Sequence, residues 1–159
     1  MQLVAARTGQ EYNRRKRRRG AFWEDRYFAT AVETDNHLIR CLVYIDLNMV
    51  RAGKVDHPSD WKVCGFNEIQ SPLKRYRVID LEVLCQLTGS PTLEVLQKAH
   101  LSWVEHELQQ GGWAREPRWT EPVAVGSKIF VEELHARLGH KACHRPISPV
   151  GSNSYVISE

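Results

Sequence analysis

The sequence predicts an α+β chain dominated by helices, and three observations carry that prediction. Residues 34–53, "TDNHLIRCLVYIDLNMVRAG", run from the N-cap candidates Thr34 and Asp35 to Gly53 behind Arg51, as a helix does. Residues 79–88 and 92–109 place apolar side chains three and four apart, the spacing of two packed helices. Residues 21–33, "AFWEDRYFATAVE", instead crowd aromatic and β-branched side chains into a short length, which favours an extended strand or arm.

The remaining elements follow in chain order. Residues 1–13 carry Leu3, Val4 and Tyr12 in a polar setting and read as the tail of a helix that starts further upstream. Six basic residues then stand in an unbroken row, Arg14, Arg15, Lys16, Arg17, Arg18 and Arg19. Residues 56–72 are rich in turn formers and read as a connector with one short helical turn after Pro58. Pro91 and Thr92 open the second of the two packed helices, 111–123 is a loop, Ser127 caps a short helix through Leu138, and "SNSYVISE" reads as a closing strand. No internal repeat is present.

Composition narrows the class. A chain of 159 residues with 42% hydrophobic content can build a real core, as one domain or one with a small appendage. The net charge of +3 is modest but concentrated near residues 14–19, so an anionic partner is expected at that end. Cys41, Cys64, Cys85 and Cys143 are far apart without a C-x-x-C pair, and no export signal opens the chain; free thiols in a reducing cytoplasm are expected. No apolar run approaches the roughly 20 residues that span a bilayer, so no membrane partner is expected.

Within 34–53, Leu38, Leu42, Ile45 and Met49 fall on one stripe and are expected to face the core. Tyr44 and Asn48 stand four apart, within about 40° of each other around a helix, with His37 on the same side. Spacing alone favours an amphipathic edge over a catalytic pair, since a tyrosine half-buried on a helix usually finds a surface partner for its hydroxyl.

A more specific signal comes from residues 12–61, "YNRRKRRRGAFWEDRYFATAVETDNHLIRCLVYIDLNMVRAGKVDHPSDW". This stretch resembles the second half of the catalytic domain of REP-associated tyrosine transposases, relatives of the insertion-sequence transposases that act on single-stranded DNA. Residues 115–139, "REPRWTEPVAVGSKIFVEELHARLG", are similar to the C-terminal extension of many such proteins. The resemblance implies a fragment of a small antiparallel-sheet domain over residues 1–65 and a helical C-terminal extension over 66–159. It also implies a helix tyrosine, matched by Tyr44, that attacks a phosphodiester to form a 5′-phosphotyrosine link and free a 3′-hydroxyl. A divalent cation, Mg²⁺ or Mn²⁺, assists in that family; two strand histidines hold it with a side-chain amide one turn after the tyrosine, a position matched by Asn48.

One departure is large. The family's histidine, hydrophobic, histidine motif lies upstream of the basic run, whereas the first histidine here is His37, downstream of it. An N-terminally truncated form that does not bind the ion alone is therefore expected, and an in-frame upstream segment with the missing motif would restore the enzyme reading. Without the family's first strands the stripe on 34–53 needs other cover, from the C-terminal helices or from a homo-oligomer; failing both, the product is unstable.

Two function classes stand side by side. One is an enzyme that cleaves and joins single-stranded or hairpin DNA through Tyr44. The other is a non-catalytic module that keeps a nucleic-acid contact for DNA or structured RNA. That contact is expected at residues 14–19 together with Trp23 and Arg26, where arginines meet phosphates and aromatic rings stack on unpaired bases. An ion pair with Glu33 is the structural alternative for Arg26. "HKACH", residues 140–144, lacks the ligand set and spacing of a zinc site.

Overall fold

A chain whose helices are amphipathic on more than one side must wrap them around each other, and the helix at 34–53 is the one wrapped here. The computed structural model describes residues 2–22, 29–34, 36–111, 114–151 and 153–158, so Trp23, Arg26 and Asp35 lie outside the described residues. The described residues form helices α1 (Gln2–Lys16), α2 (Asn36–Asp46), α3 (Asn48–Arg51), α4 (Gly65–Gln70), α5 (Leu81–Leu87), α6 (Leu93–Gln110) and α7 (Lys128–Leu138). Strands β1 (Ala31–Val32), β2 (Ala124–Gly126), β3 (Ile147–Pro149) and β4 (Tyr155–Ile157) form one sheet. The fold class is α+β and helix-dominated.

The sheet is mixed, in the order β1-β2-β4-β3. β1 runs parallel to β2, with Ala31 opposite Ala124 and Val32 opposite Val125, while β4 is antiparallel to both β2 and β3. Three of the four strands therefore lie beyond residue 66, where the sequence shows mainly helices and one closing strand. Strands this short carry too few alternating residues to reveal themselves by period. Elements on either side of residue 65 share this sheet, and α2 packs against α6.

The expected single helix over 34–53 is divided. α2 ends at Asp46, Leu47 sits between the helices with φ −78° and ψ 2°, and α3 completes the segment. Gly53 then turns the chain at φ +62°, with the Gly53 amide donating to Val50 and the Lys54 amide to Met49, the glycine-terminated closure expected there.

Burial corrects the expected stripe. Val43, Asp46, Leu47 and Val50 are the buried residues of this segment, whereas Ile45 is 59% exposed and Leu38, Leu42 and Met49 are half-buried. The reason is that α2 is covered on two sides. Val43, Leu47 and Val50 join Phe66 and Val104, while Cys41 and Tyr44 lie against Trp119, Val125 and Val156 next to the sheet. Leu47 at 1% exposure contributes about 1.5–3 kcal/mol by burial alone. The C-terminal helices cover another face of α2, where α6 brings Val104 to Val43, Leu47 and Val50; of the expected stripe, Leu42 rests on Ile69, Leu81, Leu84 and Leu96.

A carboxylate in the middle of this buried face needs a partner, and α6 provides one. Asp46 and His100 are 1% and 0% exposed, and the His100 Nε2 lies 2.8 Å from Asp46 Oδ2. Gln70 Nε2 faces both the Gln97 carbonyl and His100 Nδ1, each at 3.0 Å. Because that carbonyl only accepts, the Gln70 amide nitrogen must point this way, which makes His100 Nδ1 an acceptor and leaves the ring proton on Nε2, donated to Asp46.

At the other end of α2, Glu33 ties four elements together. Its carboxylate accepts from the Ser127 amide at 2.5 Å and the Ser127 hydroxyl at 2.8 Å, and it approaches His37 Nδ1 at 3.3 Å. His37 Nε2 in turn meets the Ser154 hydroxyl at 3.2 Å. β1, α2, α7 and β4 are fastened at this point, with Ser127 also capping α7 through the Phe130 amide.

The described cysteines are free thiols. Burial raises the pKa of Cys41, and it raises that of Cys64 with help from neighbouring Asp46, whose backbone and carboxylate oxygens the Cys64 thiol faces at 3.7 and 3.5 Å. A thiol raised in the folded state stabilises the fold fully below its unfolded value and loses that contribution as pH climbs through the folded value. Folding stability is therefore expected to decline at alkaline pH. Near neutral pH, iodoacetamide should modify exposed Cys143 first and Cys41 and Cys64 only as the chain opens; peptide mass mapping after timed quenching checks the order, and early labelling of Cys41 would contradict it.

Candidate functional site

Tyr44 reaches solvent at the seam between α2, the end of α6 and the turn at Pro117–Trp119. The ring is half-buried, 6.3 Å from the Trp119 ring at a 40° tilt, and the Arg51 guanidinium lies over it at 3.7 Å from the centroid. A guanidinium over a phenol ring makes a cation–π contact while its remaining N–H groups can meet an anion. The cleft measures about 710 Å³, and Arg40, Arg51 and Arg118 line it together with Tyr44, Trp103 and Trp119.

This wall is not purely basic. Glu107 and Glu116 share it, and Glu116 Oε2 holds Arg118 Nε at 2.7 Å and accepts from the Trp119 indole at 3.2 Å. Arg40 is exposed and makes no ion pair with the described residues, so its charge is available to a ligand. His106 stands on the same wall.

Asn48 and Tyr44 are joined through one residue. Arg51 Nη2 donates to Asn48 Oδ1 at 3.4 Å while the guanidinium lies over the Tyr44 ring. Asn48 is exposed and does not itself line the cleft. The break at Leu47 falls between the two residues, so the expected geometry of a pair four apart on one helix does not apply unchanged.

The donor set here does not fit a divalent cation. The amide oxygen that would bind it already accepts from a cationic guanidinium, which repels a second cation at close range. Among the described residues no three His, Cys, Asp or Glu side chains converge on a metal-sized site.

The basic run takes two conformations. Arg14, Arg15 and Lys16 form the last turn of α1, where positive charge suits the negative end of the helix dipole, and Glu11 pairs with Arg14 at 2.7 Å and Arg15 at 3.4 Å. The helix tail expected over 1–13 therefore extends three residues into the run. Arg17 ends it at φ +50°, with the Arg17 amide donating to Arg14 and the Arg18 amide to Asn13. Arg18 lies 5.9 Å from the Tyr12 ring, and Arg19 is exposed. Among the described residues the cations around Tyr44 are Arg40, Arg51 and Arg118, none of them from the run.

Sequence reasoning missed Arg40 and Arg118; Arg40 stands one helical turn before Tyr44 and Arg51 two turns after it, so both carried a local signal, whereas nothing local links the distant Arg118 to Tyr44. The structural alternative for Arg26, an ion pair with Glu33, lies outside the described residues; among them Glu33 is held by Ser127 and His37. The Ser154–His37–Glu33 chain has the order of a hydrolytic triad, but Ser154 is 3% exposed and the relay fastens secondary structure.

No protein-family model, no curated protein and no solved structure matches this chain significantly.

Proposed function

We propose that this chain is a transposase-like protein that binds single-stranded or hairpin DNA, and that Tyr44 does not cleave DNA in the chain acting alone. The observation that carries the reading is the Arg51 guanidinium lying 3.7 Å from the Tyr44 ring in a cleft that Arg40 and Arg118 also line. A phosphodiester seated there meets guanidinium N–H groups on its non-bridging oxygens, while half-buried Trp103 lies on the same wall beside the adjoining bases. The same placement puts a phenol next to the phosphate, which supports a descent from tyrosine-based strand cleavage.

Cleavage asks for more than placement. The phenol oxygen must bond to phosphorus as the 3′-oxygen leaves, its proton must pass to a base, and the charge that builds on the phosphoryl oxygens needs neutralising. The arginines meet part of the last demand. Because the Asn48 amide oxygen accepts from Arg51, no step through the ion that the resemblance implies is assigned to this chain.

Purified protein incubated with a single-stranded hairpin and Mn²⁺ is expected to retain the DNA on a native gel and to show no covalent adduct on a denaturing one. An adduct that vanishes in Tyr44→Phe would overturn the non-cleaving part of the proposal. Absence of retention at low salt would overturn the binding part.

A further inference from the structure

The segment that joins α4 to α5 is connector by composition and carries an unusual surface. Lys74, Arg75, Tyr76 and Arg77 follow one another, and no acidic residue lies between Ser71 and Ile79. Tyr76 is 93% exposed and Val78 is 89% exposed. Large apolar side chains so fully in water gain nothing by packing, and here they sit among like charges that repel each other.

The backbone adds a second observation. Tyr76 has φ +61°, the left-handed region that a bulky side chain rarely adopts. The loop is nonetheless fastened: Arg77 Nε donates to the Leu73 carbonyl at 2.7 Å, and Glu68 Oε1 accepts from the Val78 and Ile79 amides at 2.6 and 2.8 Å. Glu68, the nearby acid, thereby holds the backbone and makes no ion pair with the described residues. Lys74 and Arg75 are exposed, and their side chains make no hydrogen bond or ion pair with the described residues. A constrained loop thus holds an aromatic ring outward between unpaired cations.

We infer that this loop is a second contact for single-stranded nucleic acid, in which Tyr76 stacks on an unpaired base and Lys74 and Arg75 meet the flanking phosphates. The chemistry selects that ligand over others of the same charge. An acidic peptide would satisfy the cations and leave the ring in water, and a duplex would offer phosphates with its base faces already stacked; an unpaired strand offers both at once. A cavity of about 540 Å³ beside the loop, lined by Arg77, Gln86 and Ser90 among others, gives an unstacked base polar groups to meet. The inference stands independently of the Tyr44 cleft.

The test uses the whole chain and a fluorescent single strand of mixed sequence, with the matching duplex and polyglutamate as competitors, across a salt series. Tyr76→Gly should weaken single-strand binding about 5- to 100-fold with an unchanged salt slope. Because glycine accepts this backbone conformation freely, the same variant should melt at an unchanged or higher temperature, an outcome that a purely structural role for Tyr76 would reverse. Lys74→Ala with Arg75→Ala should lower the slope of log affinity against log salt by about 1.4. Arg40→Ala serves as the separate probe of the Tyr44 cleft. If both loop variants bind like the wild type while Arg40→Ala does not, the loop inference fails and the cleft reading stands; the reverse pattern keeps the loop and removes the cleft. Better competition by duplex or polyglutamate than by single strand, or no single-strand binding at all, overturns the loop inference.

Discussion

His100→Ala is expected to cost about 3–5 kcal/mol of folding stability, a large share of the roughly 5–15 kcal/mol that holds an ordinary domain together. The alanine removes the donor 2.8 Å from Asp46 Oδ2 and strands a carboxylate that is 1% exposed, with only the weak Cys64 thiol contact remaining. It also opens a cavity between Phe66, whose ring lies 5.3 Å from the imidazole, and α2. For a chain of this size the loss corresponds to a fall of about 6–20 °C in melting temperature. Asp46→Leu combined with His100→Leu should recover much of the loss, because an apolar pair leaves no orphaned charge, although the Gln70 amide then gives up one acceptor. Urea denaturation of the wild type and both variants measures the difference. A single-variant cost under about 1 kcal/mol would mean that water reaches the site and that the pair is not the centre of the core.

Removing four charges from the basic run should change nucleic-acid binding by orders of magnitude. With Arg14, Arg15, Arg17 and Arg18 all replaced by alanine, the slope of log affinity against log salt on a single strand should fall by about 2.8, at about 0.7 per phosphate contact. Near 0.1 M salt that difference amounts to about two to three decades of affinity, and it shrinks as salt rises. The ion pairs of Arg14 and Arg15 with Glu11 do not weaken the expectation, since both arginines are about three-quarters exposed and such pairs exchange readily for a phosphate. Circular dichroism should show that α1 persists, because alanine is a better helix former than arginine at its last turn. Fluorescence anisotropy at four or five salt concentrations gives the slope. An unchanged slope would make the run a solvated helix end and would leave the Tyr44 cleft and the loop at Tyr76 as the contacts to examine.

The three surfaces differ in how they were legible. The basic run is contiguous, so its charge is visible in the chain, and only its division at Arg17 into helix and turn required coordinates. The Tyr44 cleft is assembled from α2, α6 and the segment before β2, and Arg118 enters it because β2 pairs with β1 and carries the preceding turn to α2. The loop at Tyr76 offered its composition to the reader of the sequence, but composition does not show that the ring points outward at a strained φ.

The sequence by itself determined where α5, α6 and α7 begin, although not α4, which lies in a stretch that reads as connector. Asp80, Thr92 and Ser127 each accept from an amide three residues on, at 3.1, 3.3 and 3.3 Å, and Gly53 closes α3; these interactions span a single turn, so the local order of residues specifies them completely. Only the tertiary structure decided which faces those helices bury. α2 carries apolar residues around most of its circumference, so its periodicity allows several stripes, and the choice of Val43, Asp46, Leu47 and Val50 over Ile45 was made by what lies opposite: Phe66 and Val104 for the apolar positions, His100 for the carboxylate. That carboxylate and its histidine are 54 positions apart, and Ala31 finds Ala124 across an even longer separation. A two-residue strand has no hydrophobic period to read, and a buried charge is stable only when its partner arrives from another element, so both became determinate when the chain closed on itself.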